Sequence, residues 1–307
     1  MKTEKILFLF GAGASYGSHE DKAIVPPLGA GLFKALKDFD PYRWGALDDS
    51  LNIIFEQDFE QGMRAVFERE QELSKKIPLQ QVLGAFFFFK FPIKQDNLYL
   101  KLISRIQKSN WRGQVATLNY DTLLQQAITA HGLIYTYGGY NPVPYGNIQL
   151  CFPHGSCNFF AGNVFIFARK ITMGEGAKID SGISLVEDKV QYYEKMREAC
   201  APCMSYFIEN KSTNFGSSFI EQEKERYKEL VSNAEKIIIV GAALREYDTH
   251  IWEPLKNTKA NIIYCSGAKD GQIFKDWCNK YRQAGQNKAL MGFFKEEFEE
   301  ICKEAGI

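Results

Sequence analysis

This sequence lacks an excess of charge of either sign, and it lacks an apolar run of membrane-spanning length. Lysine plus arginine and aspartate plus glutamate each number 37. Without a net field, direct binding to nucleic acid or to an anionic membrane is not expected. No apolar run approaches the roughly 20 residues of a transmembrane helix, and residues 1–5 lead into only a short one, unlike a signal peptide. We therefore expect a cytoplasmic protein with neither a nucleic-acid nor a membrane partner.

The cysteines lack the regular pairing of a disulfide framework. There are seven, at positions 151, 157, 200, 203, 265, 278 and 302. An odd number without regular spacing is typical of reduced thiols in a reducing compartment. Only Cys200 and Cys203 form a close pair, and the spacing of Cys151 and Cys157 is irregular for the other half of a zinc site. No metal is predicted.

What is present is a repeated pattern of short apolar runs that end in small or polar residues. Four such runs are read as strands, at residues 6–10, 115–118, 236–240 and 261–265, with helical patterns between them. Buried strands followed by helices predict an α/β fold: a Rossmann-like, doubly wound parallel sheet. We interpret residues 1–307 as a single domain built on this sheet.

Residues 41–110 have a different residue pattern, which predicts a mostly helical insertion within that domain. Charged helical segments replace the strands, and residues 99, 102, 103 and 106 carry apolar side chains at helical spacing. The run of phenylalanines at residues 86–89 is more typical of core packing than of a substrate box. A lid over a cleft is the alternative interpretation.

A turn of small residues follows the first strand. In Gly11-Ala12-Gly13-Ala14-Ser15 the backbone could approach a phosphate or a sugar closely. A dinucleotide fingerprint of the dehydrogenase type would have a third glycine where Tyr16 stands, so that class is not favoured. A purely structural turn is the alternative.

Polar residues follow the strand at residues 115–118. Asn119 and Asp121 stand between that strand and a helical pattern, at the carboxyl end of a strand, where open α/β sheets keep their clefts. Asn119 is uncharged, so it would orient and polarise a substrate without transferring a proton. Asp121 could hold a ribose hydroxyl, or it could cap the helix that follows.

His154 is the histidine whose surroundings suggest chemistry. It is one of four in the chain, and it lies in the turn Pro153-His154-Gly155-Ser156. Its ordinary pKa near neutrality suits a general base acting on a hydroxyl or on water. A hydrogen-bonded loop histidine without a catalytic role is the alternative.

Together these motifs resemble a known family. The glycine turn, Thr117-Leu118-Asn119-Tyr120-Asp121, the turn around His154 and Val240-Gly241-Ala242-Ala243-Leu244 occur in the order of the NAD-binding core of the sirtuin family. The Asn-Tyr-Asp form resembles more narrowly the sirtuin-like NADases of bacterial anti-phage defence. The resemblance covers roughly residues 1–36 and 111–270.

The resemblance implies that NAD+ lies extended over the strand ends as a substrate. It implies a catalytic pair, Asn119 and His154, and a ribose contact, Asp121. The resemblance also implies that the phosphates and the nicotinamide ribose lie near Gly11, Ala12, Gly13 and Ser15. It implies that the adenosine half lies near Gly241 and Asp248.

Departures from the deacylating sirtuins favour water as the acceptor. Residues 16–27 contain no arginine of the kind those enzymes carry after the glycine turn, and two zinc-binding cysteine pairs are not found. The resemblance therefore implies an NAD+ hydrolase that releases nicotinamide and ADP-ribose, for anti-phage defence by NAD+ depletion. The alternatives are an NAD-dependent deacylase or ADP-ribosyltransferase, and a module that senses NAD+ or ADP-ribose without turnover.

An NADase must be restrained in its own cell, and a chain of 307 residues leaves little room for a sensor domain. We expect control by self-association into a homo-oligomer or by a partner, such as the hexameric ATPase that the family resemblance suggests.

Overall fold

The computed structural model describes residues 5–69, 73–109, 111, 113–138, 148–162, 179–180, 182–198, 200–205 and 213–307. The strands, in chain order, are β1 (Ile6–Phe10), β2 (Gln114–Thr117), β3 (Tyr135–Thr136), β4 (Ile148–Cys151), β5 (Phe159–Ala161), β6 (Ile183–Leu185), β7 (Lys236–Val240), β8 (Asn261–Cys265) and β9 (Asn287–Leu290).

The helices are α1 (Ala12–Gly17), α2 (Gly29–Phe39), α3 (Asp49–Gln57), α4 (Phe59–Arg69), α5 (Leu73–Lys90), α6 (Leu98–Ser109), α7 (Leu123–Ala130), α8 (Lys189–Arg197), α9 (Ser217–Asn233), α10 (Thr249–Asn257), α11 (Gly267–Tyr281) and α12 (Phe298–Glu304). Residues Lys22–Ile24 form a short 3-10 helix. Among the described residues, no helix has both the length and the apolar character needed to cross a bilayer.

The main sheet has seven parallel strands in the order β3-β4-β2-β1-β7-β8-β9. From β1 at the centre, the chain adds strands on one side, then returns and adds β7, β8 and β9 on the other. The predicted Rossmann-like, doubly wound sheet is confirmed. The order reverses between β1 and β7, and the crevice outside the carboxyl ends of such a pair is where open α/β sheets bind ligands.

Both faces of the sheet are buried, which explains why its central strands are apolar throughout. In β1, Phe8 and Phe10 pack into one hydrophobic cluster, whereas Leu7 and Leu9 pack into another. Successive side chains of a strand point to opposite faces, so a strand covered on both sides needs no polar alternation. This is the physical reason that the central strands could be recognised from sequence.

The segment 41–110 is helical where it is described, through α3, α4, α5 and α6. It packs into the same core as the sheet: Phe55 stacks on Phe33 of α2 at 4.6 Å, and Tyr99 meets Phe10 of β1 edge-on at 5.3 Å. Phe86 and Phe87 are buried. Phe88 and Phe89 pack partly buried against the same core, so the run serves core packing, as predicted, while Phe87 also lines the cavity described below.

Several elements differ from the sequence prediction. From sequence, residues 56–76 are predicted to be a helical segment, but Asp58 ends α3 and its carboxylate receives the amides of Glu60 and Gln61, which divides the segment there. The sequence also predicts a hairpin of residues 158–160 with residues 164–168 and an irregular loop around residues 142–144. Strand β5 pairs with β6, whereas residues 164–168 and the loop around residues 142–144 lie outside the described residues. The edge strand β9 was not predicted, because its sequence is short and largely polar.

Candidate functional site

A cavity of about 910 Å³ opens at the carboxyl ends of the central strands. Its walls are the turns that follow β1, β2, β7 and β8, together with the loop that carries His154 and residues of α4 and α5. Eight of the nine residues singled out from sequence line it: Gly11, Ala12, Gly13, Asn119, Asp121, His154, Gly241 and Asp248. Ser15 lies beneath the wall and is completely buried.

The turns after β1 and β7 are pressed together without side chains between them. A Cβ on Gly11 would lie 2.4 Å from Ala242 Cα, and one on Gly241 would lie 1.9 Å from the nitrogen of Ala14. Gly241 also has a φ of +66°, which L residues rarely adopt. The glycines are therefore required by backbone packing, and this packing is what keeps the floor of the cavity free of side chains.

Most of the amides in the glycine turn already have partners within the protein. Gly11 N–H donates to the carbonyl of Val240 at 2.9 Å, Gly13 N–H to that of Gly241 at 2.8 Å, and Ala14 N–H to that of Gly11 at 2.9 Å. These three amides are thus committed to the turn. The turn therefore allows a ligand to approach the backbone closely, but these three N–H groups are not available as hydrogen-bond donors to it.

Asn119 is held from below by groups of two other elements. Its Nδ2 donates to Ser15 Oγ at 2.9 Å and approaches the Tyr99 hydroxyl at 3.4 Å. Its Oδ1 is buried and has no hydrogen-bond partner among the described residues. A buried amide oxygen without a partner is costly to the fold. On the wall of a cavity, it is a group prepared to accept a hydrogen bond from a ligand.

Tyr99 was not predicted as part of the site, because its spacing in α6 indicates only a core residue. Burial, and then the charge of Asp121, raise the pKa of Tyr99. It therefore remains a neutral hydroxyl that can hold Ser15 and Asn119 in place.

Asp121 combines the two roles considered from sequence. Its Oδ1 accepts the amide of Leu123 at 3.0 Å at the start of α7, and it also lines the cavity. Burial raises its pKa to about 6, against the opposing effects of the Leu123 amide and the Ser15 hydroxyl. At neutral pH Asp121 is thus a carboxylate in a poorly solvated site, which is the setting in which a cation is attracted most strongly.

The loop of His154 is fixed by its backbone. Gly155 has a φ of +76°, and a Cβ there would lie 1.9 Å from the carbonyl oxygen of Cys203. The carbonyl of His154 accepts the amide of Ser205 at 2.9 Å. Just before the loop, the amide of Phe152 donates to the buried carboxylate of Glu223 at 2.6 Å. The imidazole is 5% exposed and is therefore held on the wall instead of hanging in solvent.

Sequence reasoning missed a second histidine at the site. His250 Nε2 lies 2.9 Å from His154 Nε2, although 96 positions separate the two residues. His250 is in the first turn of α10, and its local sequence carries no signal of this contact.

The other side of the cavity also contains groups that were not predicted. Ser266 donates to Asp270 at 3.0 Å after β8, and both line the cavity. Glu60 of α4 accepts the Tyr247 hydroxyl and lies 3.5 Å from Arg245. The helical segment therefore contributes directly to the wall of the cavity.

No group of three or more histidine, cysteine, aspartate or glutamate side chains suited to a metal occurs among the described residues. All seven cysteines are buried and unpaired, and burial raises the pKa of the Cys203 thiol. These buried thiols are therefore protonated at neutral pH.

No protein-family model matches the sequence, and no curated protein matches it. Among solved structures, a Sir2 homologue in complex with NAD is similar over 99% of this chain and 90% of its own, with 14% identity and a TM-score of 0.44. A mutant Sir2 homologue in complex with ADP-ribose is similar over 99% and 93%, with 15% identity and a TM-score of 0.45. Identities this low, with TM-scores below 0.5, do not assign the chain to that family.

Proposed function

We propose that this protein is an NAD+ hydrolase that cleaves the bond between nicotinamide and ribose. One observation carries the proposal: Asn119 and His154 line a single cavity, together with the glycine turn, where the strand order of the sheet reverses. That position is the ligand crevice of doubly wound sheets. The residues that resemble the sirtuin catalytic pair thus lie at the part of the fold where a dinucleotide would bind.

The size and lining of the cavity suit a dinucleotide. A volume of about 910 Å³ lies within the range of roughly 300–1,000 Å³ typical of cofactor and small-molecule sites. The glycine turn between Gly11 and Gly13 would admit the pyrophosphate close to the backbone. Ser266, Asp248 and Asp270 offer polar groups to hydroxyls of the adenosine half, while Asp121 and Asn119 would meet the nicotinamide ribose.

The chemistry accounts for the types of residue present. Nicotinamide leaves as a neutral ring when the electron pair of the glycosidic bond returns to its nitrogen, so departure requires no general acid. The ribose then carries oxocarbenium character, which the buried carboxylate of Asp121 would stabilise. Asn119 Oδ1 would accept a hydrogen bond from a ribose hydroxyl or from the attacking water, and His154 would take the proton of that water.

The test is nicotinamide and ADP-ribose release by the purified protein, for the wild type beside Asn119→Ala and His154→Ala. Loss of a positioned base, as in His154→Ala, typically costs about 100- to 10,000-fold in rate, and loss of a preorganised polar group, as in Asn119→Ala, about 100- to 1,000-fold, so both variants should be nearly inactive. Matched controls are Asn257→Ala, an exposed asparagine on α10, and His131→Ala, a histidine that ends α7. Both controls should retain the wild-type rate.

The same assay separates the alternative functions. Nicotinamide release that depends on an added acetylated peptide would indicate a deacylase, and labelling of a protein acceptor would indicate ADP-ribosyl transfer. Tight NAD+ binding without any turnover, at all protein concentrations, would contradict hydrolysis and favour a sensing module.

We further propose that the activity serves anti-phage defence by NAD+ depletion in the cytoplasm, and that assembly controls it. This rests on the sequence resemblance and on the need to restrain an NADase. Specific activity should rise with protein concentration, or on addition of a partner such as a hexameric ATPase. A monomer as active as any assembly would contradict control by assembly.

A further inference from the structure

The contact between His154 and His250 joins the cavity wall to the start of α10. Their Nε2 atoms are 2.9 Å apart, with ring centroids at 5.0 Å and ring planes at 51°. His154 lines the cavity, whereas His250 is half-buried and is not among the lining residues. His250 therefore contacts the cavity wall through His154.

The geometry restricts the protonation of the pair. At this separation one Nε2 must carry a hydrogen and the other must offer a lone pair. If both rings were imidazolium, two N–H groups and two positive charges would face each other, which is unfavourable. While the contact persists, the pair carries no more than one positive charge.

The surroundings of the pair decide which ring holds that charge. His250 is the second residue of α10, and the amino end of a helix disfavours a cation. The ring of Tyr120 lies 6.5 Å from that of His154, and ionisable residues that line the same cavity as His154 include Asp121, Glu60, Asp248 and Arg245. In this set three carboxylates outnumber one guanidinium and so favour a positive charge on the pair, and the helix end favours placing that charge on His154.

We propose that His250 is a positioning residue for His154 in the proposed hydrolysis. Neutral His250 accepts the Nε2–H of His154, as one ring nitrogen sets the tautomer by the hydrogen bond it makes. Any proton that His154 takes from water then goes to its Nδ1, and the imidazolium that forms is stabilised by the same hydrogen bond. The reverse tautomer would place the hydrogen on Nδ1 and leave His154 unable to act as a base there.

The first test compares His250→Leu with His250→Gln. The leucine cannot accept a hydrogen bond, whereas the glutamine amide oxygen can. His250→Leu should lower kcat about 10- to 100-fold, by analogy with partners that orient metal-ligating histidines, with KM for NAD+ unchanged. His250→Gln should recover part of that loss, and His131→Leu should have no effect.

The pH profile separates positioning from a structural role. The lone pair of His250 favours the protonated form of His154, so the acidic limb of the kcat/KM profile should move to lower pH in His250→Leu. A structural role would lower thermal stability and leave the limb in place. An unchanged limb together with an unchanged kcat would overturn the proposal.

A second readout does not depend on turnover. In wild-type protein labelled with 15N-histidine, the ring nitrogens of His154 and His250 should titrate in two coupled steps. In His250→Leu, the ring nitrogens of His154 should titrate in a single step. Independent titration of the two rings in the wild type would overturn the pairing. If the wild type releases no nicotinamide at any protein concentration or with a partner added, but the coupled titration is observed, the proposed function fails and the pairing stands.

Discussion

Two buried carboxylates, Glu223 beside the start of the His154 loop and Asp121 in the cavity that His154 lines, have very different surroundings. Glu223 of α9 accepts the Phe152 amide at 2.6 Å and receives Arg226 at 3.0 Å. Asp121 accepts the amide of Leu123 at 3.0 Å, and it forms no ion pair with any described residue. Beside it, Asn119 Oδ1 is buried without a partner among the described residues.

The comparison distinguishes polar groups that stabilise the fold from polar groups that are available to bind a ligand. Around Glu223 the charge is matched and a backbone amide is satisfied, so the carboxylate contributes to the position of the His154 loop. Around Asp121 the burial is similar, but no described residue supplies a matching charge. Uncompensated polar groups on a cavity wall are a cost that binding a cationic substrate would relieve.

Removal of the Glu223 charge should produce the largest loss of stability. In Glu223→Gln the Arg226 guanidinium keeps its burial and loses its counter-charge, and breaking a buried pair in this way typically costs about 3–5 kcal/mol. Urea denaturation would measure the change in the free energy of unfolding.

Glu225→Gln is the matched control on the same helix, because the side chain of Glu225 is 74% exposed and meets Lys228 only at 3.5 Å. The double variant Glu223→Gln with Arg226→Met should be less unstable than Glu223→Gln, since the glutamine oxygen still accepts the Phe152 amide and no buried charge is left alone. A double variant less stable than the single one would show that the salt bridge is not the reason for the loss.

Asp121→Asn should stabilise the folded protein, in contrast to Glu223→Gln, and the size of this effect should depend on pH. The folded pKa of about 6 lies above the ordinary value of 3.8 because burial disfavours the charge. The stability associated with the protonated carboxyl is therefore fully present below pH 3.8 and is lost as the pH rises through 6. Above that pH the folded protein carries a penalty of about 3 kcal/mol.

Asparagine keeps an oxygen for the Leu123 amide and removes the penalty. Thermal unfolding of Asp121→Asn should therefore give a higher Tm than the wild type at pH 8 and a similar Tm at pH 4. Asp38→Asn, which changes an exposed carboxylate on α2, is the control and should show no comparable gain. An equal effect of Asp121→Asn at both pH values would contradict the assigned cause.

The exposed ion pair between Arg105 and Glu299 should contribute the least to stability. Arg105 of α6 contacts both oxygens of Glu299 at 2.7 and 2.8 Å, but the two side chains are 39% and 75% exposed. Solvent screens such pairs, so Glu299→Ala should change the free energy of unfolding by less than about 1 kcal/mol. If Glu299→Ala lowered the free energy of unfolding as much as Glu223→Gln does, burial would not explain the difference between the two ion pairs.

The predictable part of the fold was the part with strong local patterns. The strands β1, β2, β7 and β8 were read from apolar runs. The pair His131-Gly132 also predicts the end of the helix that follows Asp121, and His131 is the C-cap of α7. The division at Asp58 and the edge strand β9 were not predicted. A polar edge strand has little burial to specify it, so its pairing depends on the rest of the sheet.

The sequence by itself determined the sheet and the turns that end its strands, because burial on two faces and backbone crowding leave few residue types possible. It also placed Gly11, Asn119, Asp121 and His154 at those turns. The tertiary structure alone decided what these residues contact, since Ser15 meets Asn119 across 104 positions and His154 meets His250 across 96. Such contacts, and the burial that raises the pKa of Asp121, arise only when distant segments pack together, and no local pattern encodes them.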